Sequence, residues 1–170
     1  MRKPKKLPIA LDKEDFAKLI QNTKKDKHKV AFLLGFGAGL RVSEVVKLEP
    51  RDIDFGKQSI FIRQAKGSKD RVVPIPKGFA PKHLKILPIG IGARALQFAF
   101  HNAAKKAGLL ESKPELHFHS LRHGFATNCV ANNIPIHHIR TLMGHSNIST
   151  TNVYLELNPK AAIESYLENF

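Results

Sequence analysis

The sequence predicts a single domain that is mainly α-helical with a small three-stranded antiparallel β-sheet set into it, and three observations carry that expectation. At 170 residues, with 42% hydrophobic and 25% charged side chains, the chain has the length and balance of one domain that buries its own core, and two large domains are excluded. Over most of its length apolar residues recur at three- and four-residue spacing, the period of a helix with one buried face. From residue 52 to residue 75 the spacing shortens to two, with glycine-bearing turns between the runs, as hairpin-linked strands require.

Residues 1–10, opening on a basic, proline-bearing stretch, read as an arm or linker remnant. Asp12, three residues before Asp15, is placed to cap a first helix that turns Phe16, Leu19 and Ile20 to one side and fades over 22–26. A second, more apolar helix is expected from His28 to Ala38, with Gly35, Gly37 and Gly39 letting it end and turn. Ser43 is the expected cap of a short helix from Glu44 to Leu48, with Arg41 just before it and Pro50 stopping it. Ile53 and Phe55, then Ile60 and Ile62, then Val72, Val73 and Ile75 supply the three strands, joined by turns at 55–58 and 66–69. Pro74, Pro76, Pro81 and Pro88 mark irregular connections.

Ala93 to Ala107 is a clear helix with Leu96, Phe100, Ala103 and Ala104 inward and Gly108 closing it. His119 to Ala131 is another, and Pro135 opens a third that Gly144 ends. Ser149 caps the next, which carries Val153 and Tyr154. Pro159 begins a last helix, 160–167, whose Ala162, Ile163, Tyr166 and Leu167, with Phe170 beyond, form an apolar stripe.

Lys and Arg number 28 against 14 Asp and Glu, a net charge of +14, which points to a polyanionic partner, nucleic acid first. The apolar runs 30–36 and 86–91 fall far short of the roughly 20 residues a membrane span needs. The start does not read as a secretory signal. A soluble, cytoplasmic protein with no membrane partner is therefore expected. One cysteine, Cys129, excludes an internal disulfide and reads as a small buried apolar residue.

Arg41, Lys66 and the set His119, Arg122, His123, His145 and Tyr154 are the polar positions that could do chemistry. His119 and His123, at i and i+4, share a helix face as a metal pair would, but Arg122 between them opposes a cation. Asp52, Asp54 and Asp70 are too few for a two-metal nuclease and read as turn and surface residues. With no metal cage in view, handling a phosphodiester would fall to side chains that neutralise its developing charge. Arginine forks grip two phosphate oxygens at once, a histidine moves a proton near neutral pH, and a tyrosine hydroxyl becomes a nucleophile when cations and a base attend it. Taken singly, each of these residues has a plainer reading as a surface charge, a hairpin lysine or a core tyrosine with a wet tip.

Four segments taken in order are more specific. Residues 39–48 (GLRVSEVVKL), 65–74 (AKGSKDRVVP), 119–127 (HSLRHGFAT) and 142–154 (LMGHSNISTTNVY) resemble the first-arginine box, the lysine hairpin, the His-x-x-Arg box and the nucleophile box of the tyrosine recombinases, relatives of the type IB topoisomerases. The resemblance covers roughly residues 30 to 160 and implies that family's catalytic-domain fold over residues 11–158.

It also implies roles. Tyr154 would attack a DNA phosphate and become joined to its 3′ side, freeing a 5′ hydroxyl. Arg41 and Arg122 would hold the phosphate, and His145 would donate a hydrogen bond to it. His119 would accept the tyrosine proton and Lys66 would protonate the departing oxygen, Lys69 being the poorer candidate because the family's lysine precedes the hairpin glycine. His123 would be structural support. Neither a metal nor a cofactor is implied, since the phosphotyrosine bond conserves the energy of the broken phosphodiester.

The implied partners are double-stranded DNA and further copies of the chain in a tetrameric synapse, with the helix of residues 159–170 docking on a neighbouring protomer. Family members usually carry an N-terminal core-binding domain. The chain is expected to lack it, with Met1 to Leu7 as the linker remnant, and so to bind DNA weakly and salt-sensitively. Two other readings stay open: a DNA- or junction-binding regulatory module that does not cut, and a topoisomerase-like relaxing enzyme. Retention of nucleophile and leaving-group acid together favours a site-specific recombinase acting in integration, excision or resolution.

Overall fold

The computed structural model describes residues 9–63 and 70–144. The expectations for the opening stretch 1–8, the turn at 66–69 and the two helices after Gly144, and with them Lys66, His145 and Tyr154, lie outside the described residues.

Asp12 caps α1 (Lys13–Gln21) as expected, its carboxylate accepting the Asp15 N–H at 2.8 Å. Leu19 is buried, and the Phe16 ring stacks on Phe36 at 4.1 Å between centroids. The following helix, α2 (Asp26–Ala38), starts two residues before the predicted His28 and runs through Gly35 and Gly37. The glycine series is thus corrected: only Gly39, at φ +68°, ends the helix. The other two are points of close approach, since a Cβ on Gly35 would stand 3.1 Å from Leu121 and one on Gly37 2.5 Å from Pro76.

The cap expected at Ser43 is also corrected. Arg41 is the capping residue of α3 (Val42–Lys47), and Ser43 lies inside its first turn. The Glu44 carboxylate accepts the Arg41 N–H at 2.7 Å, so the acid three residues on ties down the helix start as one half of a capping box.

β1 (Ile53–Asp54), β2 (Ser59–Ile62) and β3 (Arg71–Pro74) pair antiparallel in the order β1-β2-β3. The pleat turns Ile60, Ile62, Arg71 and Val73 inward and Phe61 and Val72 outward. Pro74, read as part of an irregular connection, closes β3 opposite Ser59; an edge strand tolerates a residue without an N–H. Asp52 departs from its surface reading as well. It is buried, accepts the Glu49 N–H at 3.0 Å and meets Arg63 at 2.5 Å. Asp54 keeps its turn role, accepting the Lys57 N–H.

The proline-marked connection contains a 3-10 turn over Pro81–Ile86. α4 (Ala93–Lys106) buries Leu96, Phe100, Ala103 and Ala104, the four expected. α5 (Leu109–Ser112) is too short for a period to announce it. α6 (His119–Ala131) has the predicted bounds, and α7 (Ile136–Met143) ends at Gly144, φ +62°.

Phe32, Phe100 and Phe118 meet edge to face at the centre of the main core. A second, smaller cluster joins the latter half of α6 to α7 through Phe125, Cys129, Val130, Ile139 and Met143. Cys129 is the buried apolar residue expected, and burial pushes its thiol up to about 11. Among the described residues no helix is long and apolar enough to cross a membrane.

Candidate active site

Four chain ends converge beside the sheet: the turn after α2, the start of α3, the start of β3 and the carbonyl end of α7. Gly39 brings the chain out of α2 in a left-handed turn that a side chain could not share, because a Cβ there would stand 2.6 Å from the Phe125 ring. Two residues later Arg41 caps α3 with its side chain partly exposed, and its Nη1 donates to Glu44 Oε1 at 3.0 Å.

Arg122, one turn into α6, is fully buried. Its Nη1 donates to the Gly39 carbonyl at 2.6 Å and its Nη2 to the Met143 carbonyl. One guanidinium thus bolts the turn behind Arg41 to the end of α7. A buried cation needs such partners, and the carbonyl end of a helix is where a positive charge is best placed.

His119 opens α6. Its ring meets His123 edge-on at 4.8 Å between centroids and lies 6.2 Å from His117, nearly parallel to it. Partial burial, then the positive charges of Arg122, His117 and Arg41, lower its pKa to about 4 against the opposing pull of Glu44. The ring keeps an exposed side, so solvent screens part of that effect. The shift favours the uncharged imidazole at neutral pH, the form able to accept a proton. Arg41, His119 and Arg122 therefore share one neighbourhood, as their sequence boxes imply. Lys66, His145 and Tyr154 lie outside the described residues, though Gly144, the residue before His145, belongs to the cluster.

Two charged residues that sequence reasoning passed over hold this neighbourhood together. Arg71, at the inward first position of β3, is 7% exposed. Its Nη1 and Nη2 donate to the two oxygens of Glu44 at 2.7 and 2.9 Å, and its Nε donates to the Leu142 carbonyl at 2.7 Å. The Glu44 carboxylate receives both arginines and the Arg41 N–H at once. Burial alone would raise its pKa; the hydrogen bonds and charges of Arg71 and Arg41 outweigh that and hold it at about 2. The missed signals were an acid three residues after Arg41, at the head of the predicted helix, and an arginine in step with Val73 on the inward face of a strand.

Among the described residues there is no group of three or more metal-ligating side chains. The chemistry the cluster offers is cationic and proton-accepting, suited to an anionic group with a proton to give up beside it.

The phage integrase family matches residues 10–87 and 91–161 of the chain. The tyrosine recombinase XerA of Thermococcus onnurineus is 35% identical over 91% of the chain and 60% of its own length. A tyrosine recombinase of Thermosipho africanus is 31% identical over 90% of the chain and 59% of its own length. The chain thus spans about 60% of the length of such relatives. The crystal structure of XerA recombinase superposes with a TM-score of 0.74 at 26% identity, over 97% of the chain and 66% of that structure. XerH site-specific recombinase bound to its palindromic difH substrate, in a post-cleavage complex, shares the fold at a TM-score of 0.78 and 20% identity, over 96% of the chain and 54% of that structure. With the helical architecture, the three-stranded sheet and the four ordered boxes, these matches place the chain in the phage integrase family, as a tyrosine recombinase catalytic domain.

Proposed function

We propose that the chain carries the strand-cleaving and rejoining centre of a site-specific DNA recombinase, which works on double-stranded DNA through a 3′-phosphotyrosyl intermediate. The observation that carries the reading is the convergence of Arg41, Arg122 and His119 near the carbonyl end of α7, where the box that ends in Tyr154 begins. In this reading the Tyr154 oxygen forms a bond to phosphorus as the bond to the 5′ oxygen breaks. The phenolic proton passes to His119, and Lys66 gives a proton to the departing 5′ oxygen.

Arg41 and His145 grip the phosphate oxygens. Arg122 joins them: two carbonyls leave some of its five N–H donors for a phosphate, and its buried guanidinium comes within reach of that phosphate as DNA binds. Attack by a different 5′ hydroxyl on the phosphotyrosine rejoins the strands in a new order. Assembly into a tetrameric synapse through residues 159–170 belongs to the same proposal, and so does cytoplasmic action on DNA. The DNA-bound state of the XerH structure supports the choice of substrate.

The test is incubation with nicked suicide duplexes carrying randomised site sequences, in EDTA. A covalent protein–DNA adduct that disappears in Tyr154→Phe is expected. An adduct that persists in that variant places the nucleophile elsewhere, and binding with no adduct under any condition leaves a non-cutting DNA-binding module. Deletion of residues 159–170 is expected to abolish higher assemblies on DNA while single-site cleavage survives.

A further inference from the structure

We propose that Arg71 is a positioning residue of the cleavage reaction: from the first position of β3 it orients Arg41 through Glu44 and fixes the end of α7, after which the sequence runs on to Tyr154. The inference rests on the cleavage chemistry proposed above.

The geometry is a relay with two arms. Along the first, the planar fork of Arg71 engages both oxygens of Glu44, and the same carboxylate binds the backbone N–H and the Nη1 of Arg41. A carboxylate held on both oxygens has little freedom to rotate, so the Arg41 side chain is directed by a partner that is itself fixed. Along the second arm, Arg71 Nε takes the Leu142 carbonyl while Arg122 takes the next one, on Met143. The chain then passes close over the Arg71 stem, since a Cβ on Gly144 would come within 3.0 Å of Arg71 Cδ. Arg71 itself follows residues 64–69, Lys66 among them, by two positions in the sequence. One buried side chain thus touches the first and last boxes while belonging to the second.

Such a site is specific to arginine. A lysine keeps the charge, but as a single point of donation it cannot fork across Glu44 and reach the Leu142 carbonyl together. A tie that merely stabilised the fold would lose stability with lysine and leave the chemical step of the folded fraction unchanged, and this difference makes the proposal testable.

The experiment measures single-turnover adduct formation on the suicide substrate at saturating DNA for the parent chain, Arg71→Lys, Glu44→Gln and the double variant, each normalised to its folded fraction. Small misplacement of catalytic groups costs on the order of 100-fold in rate. Arg71→Lys is therefore expected to slow cleavage by roughly that factor with DNA affinity within about threefold of the parent, a loss in the chemical step alone. Because the two residues act in series, the double variant should lose little more than the worse single.

Amide hydrogen exchange supplies a readout independent of activity: Arg71→Lys should raise exchange at the end of α7 and the start of α3 and leave α2 and α4 as they are. The proposal is overturned if Arg71→Lys cleaves within about threefold of the parent, if the two losses multiply, or if exchange rises evenly over the molecule. A parent chain that forms no Tyr154-dependent adduct overturns instead the cleavage reading on which the proposal stands.

Discussion

In the proposed cleavage, His119 is the side chain whose state decides whether a proton acceptor is present at neutral pH. With its pKa lowered to about 4 by burial and by the cations Arg122, His117 and Arg41, it should titrate well below the 6.5 of a free histidine in the DNA-free protein. An NMR titration of its imidazole carbons checks this; a midpoint at or above 6.5 would mean the arginines do not crowd it. Glu44 provides a stability counterpart. Its folded pKa of about 2 lies below the 4.5 of an unperturbed glutamate, so its contribution is complete above pH 4.5 and drains away as pH falls towards 2. That difference corresponds to on the order of 3 kcal/mol. Glu44→Gln should therefore be strongly destabilising at pH 7, where it strands buried Arg71, and the gap to the parent should narrow steadily in urea melts at pH 4 and pH 2.5. A gap of constant size would show that the ionised carboxylate is not what Arg71 needs.

At the level of the elements, the placing of α6 governs the site, because it carries both His119 and Arg122. It comes close to another stretch of backbone at Gly124, where a Cβ would sit 2.5 Å from the Leu11 carbonyl and 2.8 Å from the Phe36 ring. The carbonyl is backbone and cannot swing aside. Gly124→Ala is accordingly expected to cost about 1–3 kcal/mol through overpacking and to slow cleavage by moving α6, as read by denaturant melts and adduct formation; a variant as stable as the parent would mean the contact relaxes freely. The same helix shows what local sequence conveys. Its bounds are those read from the sequence, and the four buried positions of α4 follow from apolar spacing, because a long helix repeats its signal over several turns. α2 also ends at the expected Ala38, but the separate parts played by Gly35, Gly37 and Gly39 do not follow, because the three look alike in sequence. Only the packed fold separates two close approaches from one left-handed turn. The start of α3 was misplaced for a related reason: serine is the commoner cap, but Glu44 is drawn to the Arg41 N–H by a partner on another element.

Across the whole molecule, the candidate site was legible where four short boxes preserve residue type and order, which is how Arg41, His119 and Arg122 were found. Glu44 and Arg71 were not, because their meaning lies in partners far along the chain: Arg71 reaches Glu44 across 27 positions and Leu142 across 71. Isolated charges in a basic sequence look like solvated surface until a register places one of them inside. The same basic excess shapes the last prediction. A net charge of +14 attracts DNA non-specifically, so affinity alone cannot tell which face binds, whereas the salt dependence of affinity counts the phosphates engaged. Arg41 stands just beyond the C-terminal end of α2, while Lys24, Lys25 and Lys106 line an open cleft of about 240 Å³ around His28, near that helix's start. Thirteen residues of helix, at about 1.5 Å each, keep the two regions roughly 20 Å apart. If DNA seats on the cluster built around Arg41 and Arg122, Arg41→Ala should lower the slope of log affinity against log salt by about one unit. Lys106→Ala should leave that slope unchanged and shift affinity only slightly at low salt. The reverse pattern would move the bound duplex to the far end of α2 and detach DNA binding from the proposed chemistry.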